Sequence, residues 1–218
     1  MKVGILGSGE TGLTLGRGLV RAGYNVMIGT RNRYKEKLQQ WIHENPHTAQ
    51  LGTFAEAAAF GALLFLCTRW TGTQAAIETA GVWNFRKKVV VDVTNPLDGK
   101  GPDNMGRLHF SPGNAGSGGE RVQAWLQDAH VVKALNCTGQ QLITDPHLEE
   151  GLPTMFIAGN DDLAKKAVTD LLHHLGWRDV EDTGGIDMSR HLESLFMIWW
   201  AVGFRTGKWH HAFRLLRH

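Results

Sequence analysis

Apolar positions in this chain fall into two kinds of run. Short, nearly continuous aliphatic runs recur at residues 2–6, 24–29, 63–67, 89–93 and 131–135. Between them lie stretches whose apolar residues return at helical spacing. Strands apolar on both faces and separated by helices are what a parallel sheet covered on both sides requires. The first helix is expected over 11–22, with Gly23 as its stop, because glycine takes a left-handed backbone there without a Cβ clash. Residues 1–152 therefore read as an α/β domain with a doubly wound parallel sheet.

Residues 153–218 read as a smaller C-terminal α/β extension. A strand at 154–158 precedes a helix whose start is marked by Asn160, Asp161 and Asp162. Val168, Leu171, Leu172 and Leu175 give that helix one apolar face, and Gly176 ends it. A short edge strand is expected at 178–181. From Asp187 an aromatic-rich helix places Met188, Leu192, Leu195, Trp199 and Val202 on one stripe. Phe196 and Trp200 widen the stripe, and Met197 and Ile198 carry apolar surface around the other side, so more than one face must be buried. The basic aromatic tail at 205–218 reads as a terminal solvated helix. Within the first region, 97–119 is rich in Gly, Pro, Asn and Asp, a loop long for a compact domain that reads as a lid, a binding segment or an insertion. Ser117 is placed to cap the next helix, with Glu120 at the capping-box position.

Charge and composition remove several classes. Lys and Arg number 23 against 21 Asp and Glu, a net charge of +2, too close to neutral for a protein held to nucleic-acid phosphates. Hydrophobic residues at 42% argue against global disorder. No apolar run approaches the roughly 18 residues of a membrane span, and the N-terminus meets a glycine turn too soon for a targeting segment. Cys67 and Cys137 lie far apart, which excludes a disulfide framework and makes them inert small hydrophobes in a cytoplasmic protein. The histidine pairs 173–174 and 210–211 lack zinc-like spacing, so no metal site is expected.

The chemistry starts at Gly7-Ser8-Gly9-Glu10-Thr11-Gly12, a G-x-G-x-x-G match that follows a strand and opens a helix within a βαβ unit. Gly7 permits the tight turn, Gly9 lets the backbone approach a pyrophosphate, and Gly12 lets helix and strand pack closely. This is the dinucleotide-binding (Rossmann) signature. The second strand ends in Thr30-Arg31-Asn32, where an NAD-preferring site would carry a carboxylate for the ribose 2′-OH. A guanidinium there clamps a 2′-phosphate with charge-assisted bonds of about 1.5–3 kcal/mol, so NADP is the expected cofactor. Arg33 and Lys35 add positive field.

Several further segments resemble the family of NADP-dependent oxidoreductases that reduce the deazaflavin coenzyme, and the related cytosolic NADPH-binding domain of the six-transmembrane metalloreductases. They are the glycine turn, Gly-Thr-Arg-Asn (29–32), Asp-Val-Thr-Asn-Pro (92–96), Lys-Ala-Leu-Asn-Cys-Thr-Gly (133–139), Phe-Ile-Ala-Gly-Asn-Asp (156–161) and Arg-His-Leu-Glu-Ser-Leu (190–195). The resemblance implies that the loops carrying Cys67, Thr68 and Arg69, then Thr94, Asn95 and Pro96, line the path from adenine ribose to nicotinamide. It also implies that Asn136 lies near the nicotinamide. Thr68-Arg69-Trp70 departs from the small apolar-Pro-aromatic segment that relatives often carry, which leaves open whether Arg69 contacts phosphate or substrate. Hydride transfer between two planar rings needs alignment and dryness rather than an acid–base triad, so no catalytic side chain is assigned. Met197, Trp200 and the 97–119 loop are candidate walls for the second ring, and the aromatic helix is also a candidate dimer interface. The expected protein is an NADP(H)-dependent oxidoreductase, a homodimer, passing hydride between NADPH and a deazaflavin, a flavin or a similar small acceptor. The alternatives are a non-catalytic NADP(H) sensor and a reductase of a small imine or carbonyl.

Overall fold

The computed structural model describes residues 1–111 and 116–217. Among these residues β1 (Lys2–Leu6), β2 (Asn25–Gly29), β3 (Ala49–Gly52), β4 (Leu63–Leu66), β5 (Val89–Asp92), β6 (His130–Lys133), β7 (Thr154–Gly159) and β8 (Asp179–Asp182) form a single sheet ordered 3-2-1-4-5-6-7-8. Every neighbouring pair is parallel except β6 and β7. The order runs outward from β1 in both directions. The carboxyl ends of β1 and β4 therefore flank the topological switch point, where open α/β sheets bind ligands.

Among the described residues, seven α-helices cover the sheet: α1 (Glu10–Arg21), α2 (Glu36–Glu44), α3 (Phe54–Phe60), α4 (Thr73–Ala80), α5 (Gly118–Trp125), α6 (Asp162–His174) and α7 (Ser189–Thr206). Alternating strand residues feed two cores. Val3, Ile5, Phe65, Val91 and Val132 pack with Leu15 and Leu19 of α1, Trp41 of α2, and Val168, Leu171 and Leu172 of α6. Leu64, Leu66, Val90 and Val131 pack on the other side with Ile77, Phe85 and Val122. Each fully buried aliphatic side chain contributes about 1.5–3 kcal/mol of transfer free energy. The capping box at Ser117 and Glu120 is formed, and Asp161 caps α6 by accepting from the Ala164 N–H.

Three features differ from the reading of the sequence. The run at 63–67 is the fourth strand, because β3 lies before it at the sheet edge. Only four residues long, with Gln50 exposed, β3 is too short to show a period. α2 and α3, also unforeseen, bury only Leu38 and Trp41, and Ala57 and Ala58, respectively. Next, β7 runs antiparallel to β6, since the 134–153 connection contains a short 3-10 turn and no α-helix, and a parallel return needs a longer helical crossover. Finally, the tail is an extended strap rather than a solvated helix. Gly207 (φ +70°) ends α7, and the Trp209 ring fills the space over Gly203, where a Cβ would lie 2.4 Å from it. The Thr154 N–H donates to the Phe213 carbonyl, the Leu215 N–H donates to Thr154 Oγ1, and Arg217 pairs with Asp179 at 2.8 Å.

Candidate cofactor cleft and active site

Three glycines shape the turn after β1, each for a different reason. Gly7 has φ +126°, and a Cβ on it would lie 2.4 Å from the Cys67 carbonyl oxygen. A Cβ on Gly12 would lie 2.1 Å from the Gly7 carbonyl oxygen. Gly9 is the exception: a Cβ there meets nothing within 4 Å, so the space above it is open to a ligand. Gly9 is also the N-cap of α1, and no side chain satisfies the first N–H groups of that helix. Those donors and the positive end of the helix dipole are what a pyrophosphate needs.

The opening widens into a cleft of about 740 Å³ walled by the ends of β1, β2 and β4 and the start of α4. Gly7, Ser8, Gly9, Thr30, Arg31, Asn32, Cys67, Thr68 and Arg69 all line it. The Ser8 and Thr30 hydroxyls are 2.7 Å apart, joining the turn to the end of β2, and the Asn32 N–H donates to Thr30 Oγ1. Lys35 lines the cleft too, whereas Arg33 is turned to Glu56 at 3.5 Å. Arg31, Lys35 and Arg69 have no ion-pair or side-chain hydrogen-bond partner among the described residues, and no Asp or Glu lines the cleft. Glu10 is drawn away to Lys37 at 2.6 Å, whose hydrogen bond and charge hold its carboxyl below the usual range. Thr11 and Gly12 lie in the first turn of α1, behind the lining.

The Thr68-Arg69-Trp70 segment divides its labour. Trp70 is buried and stacks on Trp125 with ring centroids 5.5 Å apart, while the Arg121 guanidinium lies 4.9 Å from the Trp70 ring and 5.4 Å from the Trp125 ring. This anchors the segment to α5. Thr68 Oγ1 meets Thr73 Oγ1 at 2.8 Å and fixes the entry to α4. Arg69 is left exposed on the cleft wall.

Thr94, Asn95, Pro96 and Asn136 stand outside that lining, at the neighbouring ends of β5 and β6. Leu135 turns the chain there with φ +60°, a left-handed backbone that a side chain adopts only when its surroundings impose it. Asn136 Nδ2 donates to Asn95 Oδ1 at 2.9 Å and to the Leu192 carbonyl at 3.0 Å, and Asn95 Nδ2 donates to the Asn136 carbonyl at 2.9 Å. Asn136 Oδ1 is buried without a hydrogen-bond donor among the described residues.

Behind these loops lies a group that the sequence did not reveal. The Lys133 ammonium, fully buried, is 2.7 Å from Asp92 Oδ2, 2.9 Å from Glu193 Oε1 and 2.8 Å from the Thr94 carbonyl oxygen to which it donates. Burial alone would push the Lys133 ammonium down, but the two carboxylates outweigh it and hold the group above the ordinary lysine value of 10.5. Asp92 Oδ1 accepts from the N–H and hydroxyl of Thr94. Glu193 accepts from the N–H groups of Gly118 and Gly119 at 3.0 and 3.1 Å. All three residues sit inside the segments that carried the family resemblance.

Trp200 donates its indole N–H to the Gly106 carbonyl at 2.9 Å and seats the 97–111 part of the loop on α7. Asp103 braces that part by accepting from the N–H groups of Met105 and Arg107. Residues 112–115 of the expected 97–119 loop lie outside the described residues. Burial pushes the Cys67 thiol up, and the Cys137 thiol is pushed up to about 12 by burial, so both are held as thiols. Among the described residues no cluster of His, Cys, Asp or Glu is arranged to hold a metal ion, and no helix is long and apolar enough to cross a membrane.

A glycine turn opening onto bare helix N–H groups, with unpaired guanidinium groups beside it at a sheet's switch point, defines a dinucleotide-binding oxidoreductase of the NADP-using kind. Known proteins make that class more specific. The family model described as NADP oxidoreductase, coenzyme F420-dependent, matches residues 2–96. The crystal structure of a putative F420-dependent NADP-reductase from Arthrobacter sp. FB24 is 34% identical, covers all of both chains and superposes with a TM-score of 0.91. This chain belongs to the coenzyme F420-dependent NADP oxidoreductase family. It is similar to the F420-dependent NADP reductase of Methanocaldococcus jannaschii, at 28% identity over 204 residues and 89% of each chain. It is also 27% identical to metalloreductase STEAP3 of Rattus norvegicus over 89% of this chain but only 36% of that longer protein. A Streptomyces aurantiacus imine reductase at 15% identity and a TM-score of 0.67 shares the fold alone.

Proposed function

We propose that the cleft over Gly9 holds NADP(H), with its 2′-phosphate between Arg31 and Lys35, and that the enzyme passes hydride between NADPH and the deazaflavin coenzyme F420. The observation that carries this reading is the cleft's charge: Arg31, Lys35 and Arg69 unpaired, with no carboxylate on the wall. Isolated cations in a concave site are satisfied by an anion, and a phosphorylated dinucleotide brings several. The residues fit the cofactor because Gly9 leaves the approach to the α1 donors clear.

When bound, NADPH supplies the hydride, and the acceptor takes it together with one proton from solvent, leaving NADP⁺. The chain's own part is to bind and orient. Ser8 and Thr30 close the turn around the phosphates, while Thr68 and Arg69 form the facing wall. Asn136 Oδ1, which has no donor among the described residues, would be the acceptor for the nicotinamide carboxamide, and Asn95 keeps the Asn136 amide in its orientation. The loop seated by Trp200 then excludes water from the second ring, which strengthens the remaining polar contacts.

The test is to follow loss of reduced-nicotinamide absorbance with coenzyme F420, free flavin, ferric complexes and small imines in parallel. Turnover with F420 supports the reading. Turnover only with flavin, ferric complexes or an imine reassigns the acceptor, and tight NADPH binding without turnover makes the chain a nucleotide sensor. Arg31→Ala is expected to weaken NADPH binding at least about tenfold with little effect on NADH, as one charge-assisted phosphate bond is removed; equal losses would remove the 2′-phosphate role. We further propose a cytoplasmic homodimer closed through the exposed Ile198 and Phe204 of α7, checked by light scattering of the wild type against Ile198→Glu.

A further inference from the structure

The fully buried Lys133 and its two carboxylates take no part in the cleft, yet they touch backbone at the Thr94 turn and at the start of α5, beside the place proposed for the second ring. Through the ammonium they hold the Thr94 carbonyl, and with it the Thr94-Asn95-Pro96 turn. Glu193 grips the first turn of α5 by accepting from the Gly118 and Gly119 N–H groups. On α7 Glu193 follows Leu192, whose carbonyl takes the Asn136 amide. The carboxylate thus joins three segments distant in sequence, and little space remains around it. A Cβ on Gly118 would lie 2.9 Å from Glu193 Oε1, and a Cβ on Gly119 would lie 2.2 Å from Ser189 Oγ.

We propose that Glu193 is a positioning residue for the acceptor half of the reaction: bridging Lys133 to the start of α5, it sets the slot for the second ring while leaving the cleft at Gly9 untouched. The proposal rests on the reading that nicotinamide lies beside Asn136. Glu193 touches neither ring and moves no proton. It keeps the 94–96 turn, the Asn136 amide and the first turn of α5 in one arrangement, so that the acceptor is held within reach of the hydride donor. A displacement of about 1 Å in such a framework costs up to about a hundredfold in rate.

Wild-type chain is first assayed with NADPH and coenzyme F420. If NADPH binds but F420 is not turned over, the functional reading itself falls and takes the proposal with it. With turnover established, Glu193→Gln is compared by fluorescence titration of NADPH and by steady-state kinetics at a temperature where both proteins are folded. The expected result is an NADPH Kd within about threefold of wild type and a kcat/KM for F420 lowered at least about tenfold. An unchanged F420 kcat/KM, or an NADPH Kd that weakens in step with it, overturns the proposal. Should the single variant fail to fold, the combination of Asp92→Asn, Lys133→Met and Glu193→Leu replaces the buried charges with one neutral amide and two apolar groups, and removing a buried ion cluster as a whole is often tolerated where removing one partner is not. The same split between NADPH and F420 is expected of it, and the same two outcomes overturn the proposal.

Discussion

The two halves of the sheet's carboxyl edge handle charge in opposite ways. Over β1, β2 and β4, three cations line a cleft with no carboxylate among them. Over β5 and β6, one ammonium meets two carboxylates and a carbonyl, and none of the four reaches solvent. The first region is incomplete without an anion, while the second is complete without any ligand. Charge left open marks where something binds, and charge closed on itself marks what must not move. The two regions adjoin, and a hydride-transfer enzyme needs both, because a tightly held nucleotide is of no use unless the second ring meets it at a fixed distance.

Lys133 is the residue on which the closed region depends most. Lys133→Met leaves Asp92 and Glu193 buried beside each other without a cation, and removing one partner of a buried ion pair costs about 3–5 kcal/mol. A melting temperature lower by on the order of 10 °C is expected. Removing Arg31, the corresponding cation of the open region, should leave the melting temperature unchanged. A Lys133→Met protein that melts like wild type would mean the trio is no more a framework than the cleft cations are.

These regions differ just as much in how far they could be read from the chain. The open one was legible because its residues are local. Gly7, Gly9 and Gly12 and then Thr30-Arg31-Asn32 fall within one βαβ unit, and each matches a requirement that the proposed nucleotide would impose. The closed one was invisible as chemistry. Asp92, Lys133 and Glu193 come from β5, β6 and α7, and a lone charge at the end of a strand or on a helix reads as solvated. Their segments stood out only by family resemblance. Arg69 is an intermediate case, since the departure from the expected Pro was plain, but its exposure on the cleft wall depends on Trp70 anchoring to α5 through Trp125. β3 escaped because four residues at an edge show no period, and the reversed direction of β7 escaped because it follows from the lack of a helix in 134–153. The strap was misread because Phe213 and Leu215 find their partner in β7 and Arg217 finds its partners in β8, far back along the chain, while Trp209 folds back onto α7.

Gly9 tests the open region from the side of the ligand. Its backbone is extended (φ −77°, ψ −177°) and its Cβ direction is open, so Gly9→Val adds a side chain that the folded chain accepts. That side chain occupies the path of the pyrophosphate to the α1 donors. An NADPH affinity lower by at least about a hundredfold is expected, roughly the worth of two charge-assisted bonds from helix N–H groups to phosphate, with thermal stability near that of wild type. Gly12→Ala should do the reverse, because its Cβ would lie 2.1 Å from a backbone oxygen. Calorimetry with and without NADPH separates the two. A Gly9→Val protein that still binds NADPH tightly would remove the phosphate path from this turn.

The smallest expected effect concerns the strap, whose ion pairs are on the surface rather than closed in the core. Burial alone would raise the Asp179 carboxyl, but the Thr154 hydroxyl and Arg217 outweigh it and hold the group below the ordinary aspartate value of 3.8. A carboxyl depressed in the folded state contributes stability that is present above that ordinary value and lost as the pH falls below it through the folded one. The Lys133 ammonium is shifted the other way, so its contribution persists at neutral pH and is lost only as the pH rises past 10.5 and through its higher folded value. Between these limits both regions should be insensitive to pH. Acidification below about pH 4 should loosen the strap first, by no more than about 1 kcal/mol for a partly exposed pair. The change should be visible as altered Trp209 emission and as C-terminal proteolysis before any change in the far-ultraviolet signal of the sheet. Asp179→Asn should abolish that acid step while leaving the alkaline limit in place. An acid step that survives the substitution would mean that the strap is held by its packing on Gly203 and Thr154 rather than by charge.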